Sequence, residues 1–135
     1  MNNKLDRRDI LRVLAGLGAA MAAPAATAQD PTKVNPRSYK VLFENERLRL
    51  LEYTAKPGLG VCGQGRHYHP AHLSIPLTDG KVKIVAAGKT VVADGKAGEA
   101  FWEPEVWHSV ENISGAEMRA YMVELKGKDW KPSTG

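Results

Sequence analysis

Beyond Lys40 the chain sustains no 3.6-residue apolar repeat; short β-prone runs recur about every ten residues, each closed by turn residues. The runs fall at 39–43, 48–53, 72–77, 82–86, 90–93, 100–102, 107–112 and 118–125. Between them stand Lys56-Pro57-Gly58, Asp79-Gly80, Gly88-Lys89, Asp94-Gly95 and Ser114-Gly115, residue types suited to chain reversal. In Lys81-Val82-Lys83-Ile84 charged and apolar side chains alternate, which a strand turns into one wet and one dry face. The pattern predicts an all-β fold, a sandwich or a barrel, with no repeat at solenoid spacing.

A chain of 135 residues is expected to form one domain. Residues 39–125 make up its folded part. A polar, proline-containing flexible arm (29–38) precedes it, and a polar tail (126–135) follows. A core of this size is stable without disulfides, and small β domains pair readily through an edge strand, so a homodimer is an expected partner state.

Residues 1–28 read as a targeting segment rather than part of the fold. Positive charge comes first, then an uncharged, mostly apolar run over 13–23, then small residues around Pro24. Ala26-Thr27-Ala28 offers small side chains at the two positions a signal peptidase reads, which predicts cleavage before Gln29. The apolar run is too short to cross about 30 Å of hydrocarbon, so no permanent membrane anchor is expected. Asp6-Arg7-Arg8-Asp9-Ile10-Leu11-Arg12 resembles the bacterial twin-arginine signal, with Asp and Ile where Ser or Thr and Phe are usual. That route carries folded proteins, and the expected compartment is the bacterial periplasm.

The formal net charge is +4, and half of it lies in residues 1–28, where Lys4, Arg7, Arg8 and Arg12 face Asp6 and Asp9. The remaining charge is scattered, without the basic stripe that a nucleic-acid partner requires, so that class is excluded. Cys62 is the only cysteine, so no internal disulfide forms; it is either a small buried residue or a group near a site.

Chemistry concentrates in four histidines, three of them in Arg66-His67-Tyr68-His69-Pro70-Ala71-His72. In an extended segment His67 and His69 point to one face and can present both imidazoles to one point. His108 lies on a distant β-prone segment that can return across a barrel. Two imidazoles on one face with a third opposite suit a divalent transition metal; the competing reading is structural or surface histidines.

The stretch from Gly60 to Asn112 resembles the two motifs of the cupin superfamily. The first motif is met by Gly60 (one place early, with Val61 where the Gly is expected), His67-Tyr68-His69 and Gly80. The second is met by Gly98, Pro104, His108 and Asn112, with one residue fewer between Pro104 and His108 and Val106 in place of the usual Gly. The resemblance covers roughly 45–125 and implies a cupin-type antiparallel β-barrel, also called a double-stranded β-helix or jelly roll. Leu73 stands where cupins usually carry a glutamate ligand. Three ligand sets stay open: a three-histidine site of His67, His69 and His108, as in cupin dioxygenases; the same site with His72 as a fourth ligand; and a cupin without metal.

The three-histidine form implies open metal positions for a small-molecule ligand, with Fe(II) the favoured ion and Mn, Ni, Cu and Zn as alternatives. Phe101, Trp102, Trp107 and Tyr121 are candidate pocket walls, each with a competing reading as barrel core, and Arg66 is a candidate for attracting anions. Asn112 is expected as a turn partner, and Glu99, Glu103 and Glu105 as solvated loop carboxylates. The function implied is an exported metal-binding cupin, in its enzymatic form a dioxygenase for small anionic chelators. The alternative is a non-catalytic binding protein.

Overall fold

The computed structural model describes residues 30–57 and 66–127; the segment read as a targeting signal, Gly60 and Cys62, and the tail from residue 128 lie outside the described residues. Among the described residues one helical turn, α1 (Pro31–Val34), precedes nine strands. They are β1 (Tyr39–Glu44), β2 (Leu48–Ala55), β3 (His67–His69), β4 (His72–Pro76), β5 (Gly80–Ala86), β6 (Lys89–Gly95), β7 (Phe101–Glu103), β8 (Val106–Asn112) and β9 (Met118–Leu125). Each of the eight runs read from the sequence forms a strand, and the His-x-His segment adds β3.

One sheet has the order β1-β2-β9-β4-β7 and the other β3-β8-β5-β6, with the described pairings antiparallel. From β3 onward the chain passes repeatedly between the sheets, so each contributes inward side chains to one shared interior. Alternation decides which ones: β2 buries Arg49, Leu51, Tyr53 and Ala55 and turns its other residues outward. The β5–β6 hairpin closes through Ala87 and Gly88, both at positive φ (47° and 73°), as a two-residue turn matched to strand twist requires.

Within the stretch read as a flexible arm, 29–38, the chain instead forms α1 from Pro31 and packs it on β1 and β3. Asp30 caps the turn, accepting from Thr32 N at 2.8 Å, and Pro31 is buried at the first helical position, where its missing N–H costs nothing.

The apolar core comprises Tyr39, Leu51, Tyr53, Ala55, Ile84, Ala86, Ala93, Val106, Val110 and Met122. Leu51 has no exposed surface. Leu51→Ala removes three carbons from a site that cannot collapse fully, and should lower the unfolding free energy by about 2–5 kcal/mol in urea titration. A loss under about 1 kcal/mol would show that this part of the interior is loosely packed.

Candidate metal centre

The inward side chains at one end of the barrel are histidines. Strand β3 presents His67 and His69 on the same face, and β8 pairs His108 in register with His67. The three rings stand nearly perpendicular to one another, at 4.8 Å (His67–His69), 4.8 Å (His67–His108) and 5.2 Å (His69–His108) between centroids. One ring nitrogen from each lies within 4.8 Å of the others, and all three residues are buried.

Burial, and then the neighbouring imidazoles, hold His69 and His108 well below the usual histidine range. They are neutral, which is the form that binds metal. Among the described residues, His69 Nε2 and both ring nitrogens of His108 are buried without a hydrogen-bond partner. A buried polar atom left unpaired costs about 1–3 kcal/mol, a penalty that a coordinated cation removes. The donor set therefore fits a divalent transition metal.

His69 is held from behind. Its Nδ1 donates to Glu124 Oε1 at 2.8 Å, which leaves Nε2 as the lone pair facing the cluster. Glu124 Oε2 accepts from Arg49 Nε at 2.7 Å and lies 2.7 Å from Arg49 Nη2. Arg49 in turn donates from Nη1 to Asp30 Oδ2 at 2.7 Å and from Nη2 to Asp30 Oδ1 at 3.3 Å. Burial pushes the Glu124 carboxyl up despite Arg49, whereas for Asp30 the bonds from Arg49 and Thr32 outweigh burial and hold it low. On the other side, the Tyr39 hydroxyl lies 3.2 Å from His67 Nε2.

His72 is buried with its ring 4.9 Å from that of His69, yet its nitrogens face elsewhere. Nδ1 donates to Pro70 O at 2.7 Å, and Nε2 lies 2.7 Å from Glu103 Oε2, an ion-pair contact outside hydrogen-bond alignment. Burial opposes its charge, but Glu103 and the Pro70 carbonyl prevail and raise its pKa. Glu103 is thus a correction to the sequence reading: it is 6% exposed, not a solvated loop carboxylate, whereas Glu99 and Glu105 are exposed. Leu73 also faces away from the histidines, because β4 buries His72, Ser74 and Pro76. The inward carboxylates near the centre come instead from β7 and β9.

A cavity of about 100 Å³ borders His108. Tyr39, Tyr53, Ile84, Phe101 and Met122 supply much of its wall; Ser74 and Glu103 are its buried polar groups. Phe101 thus lines the space, but Arg66, Trp102 and Tyr121 do not. Arg66 is exposed, with its guanidinium 5.4 Å over the Trp107 ring, and Trp102 is 45% exposed on the outer face of β7. Asn112 is a turn partner as expected, donating to Ala55 O and Ala116 O at 2.9 and 2.8 Å.

Sequence reasoning missed Arg49, Glu124 and Asp30. The signal was present for two of them: Arg49 shares the parity of Leu51 and Tyr53, and Glu124 that of Met118 and Met122. A charge on the dry parity of a strand marks a buried partner.

No family model and no curated protein matches the sequence. Solved structures do match. A cupin domain from Bordetella pertussis Tohama I is 27% identical with a TM-score of 0.61, over 66% of this chain and 92% of that one. An RmlC-like cupin family protein with a double-stranded β-helix fold, from Methanocaldococcus jannaschii, is 16% identical with a TM-score of 0.53, over 64% of this chain and 77% of that one. The chain has the cupin fold.

His67→Ala, His69→Ala and His108→Ala should each lose most bound metal in elemental analysis, since two imidazoles make an incomplete site. His72→Ala should keep a full complement, because neither His72 nitrogen faces the cluster. An equal loss in His72→Ala would assign it as a ligand. Glu124→Gln should weaken metal binding about 10–100-fold, as removal of a partner behind a metal-bound histidine does.

Proposed function

We propose that this cupin-fold protein is an exported metal-binding protein. Its His67, His69 and His108 hold a divalent transition metal, Fe(II) favoured, at the head of a cavity for a small chelating ligand. The observation that carries the reading is the convergence of three buried imidazoles, two of them held neutral, one of which, His108, borders a mostly apolar cavity. A redox-capable ion bound there supplies Lewis acidity and reactivity toward O₂.

The residues around it set the terms. Three neutral ligands leave the ion's charge uncompensated, so anionic donor atoms such as thiolates and enolates are favoured ligands. The cavity, about 100 Å³ against the roughly 150 Å³ that accommodates benzene, suits the compact part of such a ligand. Apolar walls exclude water from bound ligand, and Glu103, backed by His72, is the buried carboxylate positioned to take a hydrogen bond or a proton from it.

Two experiments test the reading. Loading with Fe(II) without oxygen and adding small thiols or enols should produce ligand-to-metal absorption, followed by O₂ uptake once air is admitted. Absorption without O₂ uptake would favour the second reading, a non-catalytic binding protein, for which the mostly apolar wall of the cavity speaks. Unchanged spectra with every anion would overturn the ligand class. Export is tested by intact mass from the native host, expected to begin at Gln29; a mature chain retaining Met1 would overturn it. Arg7→Lys with Arg8→Lys should block export by the twin-arginine route and spare a general secretory one.

A further inference from the structure

The relay behind His69 does not end within the barrel. It ends on Asp30, immediately before α1, and α1 itself packs on β3, the strand that carries His67 and His69. All four members, Asp30, Arg49, Glu124 and His69, are 9% exposed or less, and successive members lie at 2.7, 2.7 and 2.8 Å. A buried ion-pair network contributes little stability over well-packed apolar groups, so a helical turn that needed only anchoring could use its buried Pro31. What the charges add is direction. Asp30 holds one side of the Arg49 guanidinium, which fixes the other side on Glu124 Oε2 and so aims Oε1 at His69 Nδ1.

We propose that residues 30–34 form a clasp on the metal centre, with Asp30 as a positioning residue that sets metal affinity through Arg49 and Glu124. The inference rests on the three-histidine reading above. Without the Asp30 carboxylate, Arg49 recentres on Glu124 and draws it from His69, loosening the orientation of one ligand. The coupling is reciprocal: metal that binds more tightly with the clasp docked must also favour the docked clasp.

The test uses Co(II) alone, with affinity from chelator competition and geometry from its visible absorption. Asp30→Asn and Asp30→Ser keep a competent helix cap but lose the charge, so they separate capping from the relay. Each should bind Co(II) about tenfold more weakly, the low end of what a partner behind a metal-bound histidine contributes, with an altered band shape. Combined with Glu124→Gln, Asp30→Ser should add less than about twofold, because the relay is already cut; independent roles would multiply.

The unaltered protein supplies a measurement that no folding defect can confound. Co(II) should slow hydrogen exchange at the amides of Lys33, Val34 and Asn35, which bond to Asp30 O and Pro31 O. Wild-type affinity and band shape in both variants, or exchange of these amides unaffected by metal, overturns the clasp. Failure of the unaltered protein to bind Co(II) overturns the metal reading itself, and the clasp with it.

Discussion

Arg49 is a guanidinium on the dry face of a strand, and much of the arrangement around it follows from the need to neutralise that charge. An unpaired buried ion is prohibitive, and removing one partner from a buried pair typically costs about 3–5 kcal/mol. Arg49 therefore has a carboxylate on either side: Glu124 from β9, its register neighbour, and Asp30 from the chain segment before β1. Satisfying one charge thus ties β2, β9 and α1 together. Because Glu124 has a second oxygen, the tie extends to His69 on the opposite sheet.

The same reasoning accounts for how imidazoles a few ångströms apart have their pKa values shifted in opposite directions. His69 and His108 are fully buried among other imidazoles, so burial and mutual repulsion keep them neutral. His72 is as deeply buried as His69, but the Pro70 carbonyl accepts from its Nδ1 and the Glu103 carboxylate stands against its Nε2, and both favour the charged form. The direction of the shift follows the partner rather than the residue type or depth. Across the five-stranded sheet the register aligns Arg49, Glu124, His72 and Glu103 as a buried row in which basic and acidic side chains alternate. Toward the other end the inward positions are mostly apolar, with Tyr53, Ala55, Ile84, Ala86 and Met118 around the hydrogen-bonded Asn112. The interior is polarised lengthwise, and the cavity lies where the two halves meet, between His108 and the apolar wall.

Strand periodicity and turn chemistry are local properties, so the sequence by itself determined the eight runs, their all-β character and the inward pairing of His67 with His69. The run 107–112 likewise put His108 and Asn112 on one strand, where the structure buries both. The phase of β4 after Pro70 was not determined, because a one-residue slip exchanges the faces of a strand and nothing local fixes it. Tertiary pairing with β7 and β9 turned His72 and Ser74 inward and Leu73 outward. Glu103 read as a loop carboxylate for the same reason: its burial depends on His72, a neighbour 31 positions away in the chain. The contact from Asp30 to Arg49 spans 19 positions and that from Arg49 to Glu124 spans 75. Periodicity reports which face a side chain takes, but only the folded packing of strands decides which distant charge meets it there.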